Sequence, residues 1–177
     1  EMETTTASNR IQYTSYDIPY SLANDLNMEM IGRILSTRYL ESIREREGGS
    51  YGVGCYGTVD IRPVPRARLI MQFDTDPLKQ EKLMTIIHEE VDTIVKDGPL
   101  ANDLAKEKQS MLKDFQEDIE NNNYWSTAVY MYYMYGINYI ADYQKAVNDI
   151  TAETVKSTLR RLVDAGNMFE VDMTPAR

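Results

Sequence analysis

The stretch ESIREREGGSYGVGCYGTVD, residues 41–60, holds the change of period on which the fold turns. Upstream of it, apolar residues recur at helical spacing. Leu22, Leu26, Met30 and Ile34 form one i,i+4 row, and Ile31, Leu35, Tyr39 and Ile43 form the next. Two adjacent rows make a broad apolar stripe, which predicts a core-facing helix from a Ser21 cap to about Arg46. Gly48-Gly49 is a helix-stop signal. Beyond it the period is two. Tyr51, Val53, Cys55, Val59 and Ile61 fall on one face; Gly52, Gly54, Tyr56, Thr58 and Asp60 fall on the other. A second strand, with Leu69, Met71 and Phe73 inward, follows RPVPR at 62–66. The two read as an antiparallel hairpin with a proline-bearing connection.

Outward from the hairpin, helices dominate. Asp76 and Pro77 open one whose face is Leu83, Ile87, Val91 and Val95, and Gly98-Pro99 closes it. A third helix carries Leu104, Met111, Leu112, Phe115 and Ile119. The run Asn121-Asn122-Asn123 breaks the chain before YWSTAVYMYYMYG, a fourth helix ending at Gly136. Trp125, Val129, Tyr132 and Tyr133 share a helical spacing there and are expected in the core. Tyr130 and Tyr135 are left over for a chamber wall or an interface. A short helix follows around 142–147. Thr151 caps the last helix, with Val155, Leu159, Leu162 and Val163 inward. Phe169, Val171 and Met173 alternate with Glu170 and Asp172, which predicts a half-buried final strand. At the other end, RIQYTSY (10–16) predicts a short strand. The expected class is α+β, an antiparallel or mixed sheet backed by a layer of helices. Residues 1–20 are expected as a tail with a partial first strand, and 21–177 as a single domain.

The chain has 177 residues and a formal net charge of -9, from 28 acidic against 19 basic residues. Such an acidic chain lacks the electrostatic footprint for nucleic acid or an anionic membrane surface. No apolar run approaches the ~20 residues of a membrane span. Cys55 is the sole cysteine, so no internal disulfide forms; its setting is that of a small core residue. His88 is the sole histidine and sits in a helical pattern, HEEVD, where a surface or flanking position is expected. One histidine cannot supply the two that a common hydrolytic zinc site needs. The N-terminus has neither an initiator Met nor a signal-peptide pattern, and the chain is expected to be a piece of something longer.

Gly52, Gly54 and Gly57 spell G-x-G-x-x-G, but the context is reversed. A dinucleotide turn follows a strand and opens a helix, so that phosphate meets the helix N-terminus. Here the glycines follow a helix and lie inside a strand, so a nucleotide-binding domain is a distant alternative. Gly52 and Gly54 share a strand face that another backbone could approach closely. Arg44 in the last helical turn and Tyr51 at the strand start flank the glycine turn, so both could point into one space. Guanidinium and phenol are donors suited to peptide carbonyls or a carboxylate. A solvated helix end beside a core tyrosine accounts for them equally well.

IREREGGSY (43–51) resembles the hydrophobic-Arg-Glu-x-x-Gly-x-small-Tyr segment of pitrilysin/insulinase-type zinc peptidases, in their non-catalytic, C-terminal type of domain. LNMEMIGRILSTRYLESIRE before it is similar to the family's long helix. The segments 69–111, 120–136 and 147–175 resemble later parts in order and spacing, so the resemblance covers roughly residues 20–175. It implies an antiparallel sheet backed by helices. The family's zinc motif is H-x-x-E-H, which a single histidine cannot make. The resemblance therefore implies an inactive half with no cofactor of its own, the zinc lying in a missing N-terminal catalytic half on the same or a partner chain. It implies that Arg44 and Tyr51 reach across a shared chamber to bind the peptide substrate's backbone and stabilise the oxyanion. Arg46 is out of register and is read as a surface charge. A bacterial periplasm or cell envelope is the setting that the resemblance favours, with the cytoplasm as the alternative. A scaffold domain of the same family is the alternative. The family's opening strand reads as short or missing here, which predicts an unpaired edge and self-association of the isolated piece.

Overall fold

The computed structural model describes residues 6–47 and 52–174, the side chains of residues 44–47 excepted. In chain order the elements are β1 (Ala7–Ser15), α1 (Leu22–Glu47), β2 (Gly54–Asp60), β3 (Arg66–Thr75), a 3-10 turn (Pro77–Lys79), α2 (Gln80–Asp97), α3 (Ala101–Asp118), α4 (Asn122–Tyr135), α5 (Tyr139–Asp149), α6 (Ala152–Asp164) and β4 (Asn167–Met173). The strands form one antiparallel sheet in the order β2-β3-β1-β4. Helices cover one of its faces, so the α+β class holds as expected.

Helix α1 is the centre of the packing. Both predicted rows are buried, from Leu26 to Ile34 and from Ile31 to Ile43. The helix lies on β2 and touches α2, α3, α5 and α6. Its start is set as expected, with Ser21 Oγ accepting from Asn24 N at 3.1 Å. The contact with β2 is closer than side chains allow. A Cβ on Gly57 would sit 2.0 Å from the Met28 carbonyl oxygen, and one on Gly32 would sit 2.6 Å from the Gly57 nitrogen. The close approach expected at Gly52 and Gly54 is therefore made at Gly57. Gly54 has its nearest neighbour at 3.8 Å and Gly52 has none within 4 Å. Alternation explains the difference: Gly57 shares the helix-facing side with Val53, Cys55 and Val59.

The opening strand corrects the sequence reading. β1 is nine residues long and lies inside the sheet, between β3 and β4. Its buried face begins at Ala7 and runs through Asn9, Ile11 and Tyr13. A small residue and an amide disguised the start of the alternation. Asn9 is accommodated because its Nδ2 donates to the carbonyls of Ala7 (3.3 Å) and Phe73 (3.4 Å), and its Oδ1 accepts from Gln80 Nε2 (2.7 Å). The sheet edges are β2 and β4.

Two apolar segments expected to be buried are exposed. On α4, Ala128 and Met131 face the core, while Trp125, Val129, Tyr132 and Tyr133 are exposed, Tyr133 by 81%. On β4, all seven residues are exposed. Pairing with β1 sets Phe169, Val171 and Met173 beside Gln12, Arg10 and Ser8 on the open face; Glu170 and Asp172 lie on the helix side. The helix layer packs on β1 through α6 and reaches β4 at His88.

Candidate functional site

The expected Gly48-Gly49 stop lies outside the described residues, and the helix that precedes it is held against α2. Arg38 and Ser42, one turn apart, both reach Glu90 of α2. Arg38 donates from Nε at 3.1 Å and from Nη2 at 3.4 Å, a forked contact on a carboxylate that is itself buried. Ser42 Oγ adds a short hydrogen bond to the same carboxylate. On the side of the sheet, Ser36 Oγ donates to the Cys55 carbonyl at 2.9 Å and accepts from the Cys55 nitrogen at 3.1 Å. Helix α1 is thus tied to α2 through Arg38 and Ser42 and to the start of β2 through Ser36. The backbone of Arg44 lies in the last turn of α1. Its side chain, and the whole of Tyr51, lie outside the described residues. Burial pushes the Cys55 thiol well up, which fits an inert core residue.

A cavity of about 590 Å³ opens along β1, β3 and β4. Gly52, the neighbour of Tyr51, lines it, with Arg10, Gln72 and Asp74 from the open face and Val171 and Met173 from β4. Arg10 Nη2 donates to Gln12 Oε1 at 3.1 Å, and Ser8 Oγ donates to Asp74. Further along the open face, Asp60 accepts from Arg66 (2.7 Å) and Arg68 (2.8 Å). Partial burial raises the Asp60 carboxyl, but the two guanidiniums outweigh it and hold the group below its ordinary range. The open face therefore offers polar groups that can meet a peptide backbone, next to an apolar strip.

The structure also joins three residues that the sequence reading left apart. Tyr13 Oη meets His88 Nδ1 at 3.2 Å, and His88 Nε2 meets Glu170 Oε1 at 2.6 Å. A hydroxyl–imidazole–carboxylate chain has the outline of a nucleophile triad. Its hydroxyl is wrong for that work. Burial, with Asp92 and Glu170 adding to it, pushes the Tyr13 phenol up to about 12, and the ring is 7% exposed. A neutral imidazole protonated on Nε2 satisfies both contacts. The chain pins α2 to β1 and β4, a more definite role than the surface position expected for His88.

The described residues do not fit a zinc ion: no three of their His, Cys, Asp and Glu side chains converge on a common point. Nor do the glycines fit a phosphate cradle, since Gly54 and Gly57 lie within β2 and β3 comes next. Among the described residues no helix is long and apolar enough to cross a membrane.

The family model described as the peptidase M16 inactive domain matches residues 1–111. No curated protein matches. Among solved structures, the periplasmic protease PqqL from Escherichia coli is similar with a TM-score of 0.81 at 15% identity, over 99% of this chain and 20% of that one. The peptidase M16 inactive domain from Pseudomonas fluorescens gives 0.74 at 17% identity, over 99% and 42%. A protease from Helicobacter pylori gives 0.77 at 12% identity, over 99% and 43%. At these identities the likeness establishes the fold. The chain spans 20% to 43% of the length of these three proteins.

Proposed function

Because this chain belongs to the peptidase M16 inactive-domain family, we propose that it is the zinc-free C-terminal domain of a zinc metalloendopeptidase, completing an active site whose metal lies on a companion N-terminal half. The companion is on the same or a partner polypeptide, and the substrate is a peptide. Arg44 binds the substrate's backbone, and Tyr51 donates to the oxyanion that forms when water attacks the scissile carbonyl. One observation carries this reading. The family match includes IREREGGSY, the segment that bears both residues, while the whole chain has one histidine and so no zinc motif of its own. The bonds at Glu90 and Cys55 are consistent with it, since they hold the described residues before and after the segment that bears the two donors. The likeness to PqqL supports a bacterial periplasm or cell envelope as the setting.

The test is a comparison of metal content and peptide hydrolysis between this chain alone and the longer protein that carries it. The chain alone is expected to hold no stoichiometric zinc and to cleave nothing, and the longer protein to do both. Zinc-dependent hydrolysis by the isolated chain overturns the assignment. The exposed aromatic face of α4 favours a second reading, an assembly domain of a protein that has lost catalysis. The upstream sequence separates the two: H-x-x-E-H in the companion half fits the first, and its absence fits the second.

A further inference from the structure

We propose that the outer edge of β4 docks an extended peptide segment in which basic residues alternate with apolar ones. β4 is a terminal strand, paired among the described residues with β1 alone. Its other edge therefore presents backbone N–H and C=O groups from alternate residues, a template for a further strand. The sequence of β4, NMFEVDM, holds no Pro, Lys or Gly, and its inward-side acids Glu170 and Asp172 disfavour an acidic or neutral added strand.

The two faces of β4 specify the occupant. A strand laid along the edge keeps the pleat, so its side chains alternate between the same two faces. On the helix side it meets Glu170 and Asp172, with Asp92 of α2 close enough to act on Tyr13. His88 contacts Glu170 there, but the face stays acidic, and Lys or Arg is its complement. On the open face it meets Phe169, Val171 and Met173, each 44–52% exposed. Val171 and Met173 also line the 590 Å³ cavity, which gives apolar side chains a recess. Main-chain hydrogen bonds supply affinity in such strand addition, and the alternating side chains supply selectivity.

A second copy of the chain is a poor occupant. Each copy carries -9, and antiparallel pairing of β4 with itself centred on Glu170 or Val171 sets acid against acid. The proposal rests on the geometry and charge of β4 alone and stands apart from the roles of Arg44 and Tyr51.

The test is fluorescence anisotropy with the 177-residue chain and short, labelled, end-blocked peptides, one alternating Lys with Val and one alternating Glu with Val. The Lys–Val peptide is expected to bind about tenfold tighter or more, an advantage that shrinks with added salt. N-methylation of alternate residues in the register that faces β4 is expected to abolish binding. The double variant Glu170→Gln, Asp172→Lys reverses the local charge while Gln keeps an acceptor for His88. It is expected to lose the Lys–Val preference and gain a Glu–Val one, with an unchanged thermal midpoint showing that the fold survives. Four outcomes overturn the proposal: no binding of the Lys–Val peptide, equal binding of both peptides, binding that survives N-methylation in both registers, or a peptide-free dimer disrupted by the double variant.

Discussion

Gly57 lies where α1 crosses β2, and a methyl group there would fall 2.0 Å from the Met28 carbonyl oxygen. Backbone cannot yield as a flexible side chain can, so α1 would have to lift from the sheet. Gly57→Ala is expected to destabilise the fold by about 1–3 kcal/mol, the range of core overpacking. Gly54→Ala, whose added carbon meets its nearest neighbour at 3.8 Å, is expected to stay within about 0.5 kcal/mol. Urea midpoints of the two variants check the contrast, and equal losses would contradict it. The glycine spacing suggested a close approach in the sequence, and the parity of the strand could have placed it at Gly57. Nothing in the sequence could have joined Tyr13, His88 and Glu170, because the contacts of His88 span 75 and 82 positions. Such pairings depend on the register of β1 with β4, which no local pattern encodes.

At the scale of elements, caps and stripes were legible where an element has a partner across its whole apolar face. The rows of α1 and the Thr151 cap stand as expected, while Asp76, expected to open α2, caps the 3-10 turn Pro77–Lys79 instead, and α2 starts at Gln80 without a side-chain cap. The reading failed on α4 and β4, where a regular apolar pattern meets no covering layer. Periodicity reports that one face differs from the other; it does not report whether anything packs there. The α4 finding has a direct check. Met131→Ala, at a core-facing position, is expected to cost about 2 kcal/mol or more. Tyr133→Ser, at a residue 81% exposed, is expected to cost under about 0.5 kcal/mol. Chemical denaturation measures both, and a larger loss at Tyr133 would place that ring in the core. β1 failed for another reason: Ala7, Ser8 and Asn9 are weak strand formers, and their strand is made by two neighbours rather than by propensity.

At the scale of the whole molecule, the α+β class, the antiparallel hairpin and the helix order followed from the change of period around Gly48-Gly49. The sheet order β2-β3-β1-β4 did not, since it rests on long-range pairings of β1. Arg44 and Tyr51 stood out in the sequence through their spacing about the glycine turn. Their roles came from the family resemblance, because half of the proposed chemistry lies on another domain. The central proposal is that this domain supplies transition-state donors to a substrate held at a metal on another domain. Its most direct test is kcat for peptide hydrolysis by the longer enzyme carrying Tyr51→Phe or Arg44→Ala, with zinc stoichiometry measured on the same samples. Loss of one oxyanion donor is expected to lower kcat by about 10²–10³ for Tyr51→Phe, with a smaller fall and a raised KM for Arg44→Ala. Zinc content is expected to stay that of the parent enzyme. Parent-level kcat and KM in both variants, at full zinc occupancy, would contradict the claim.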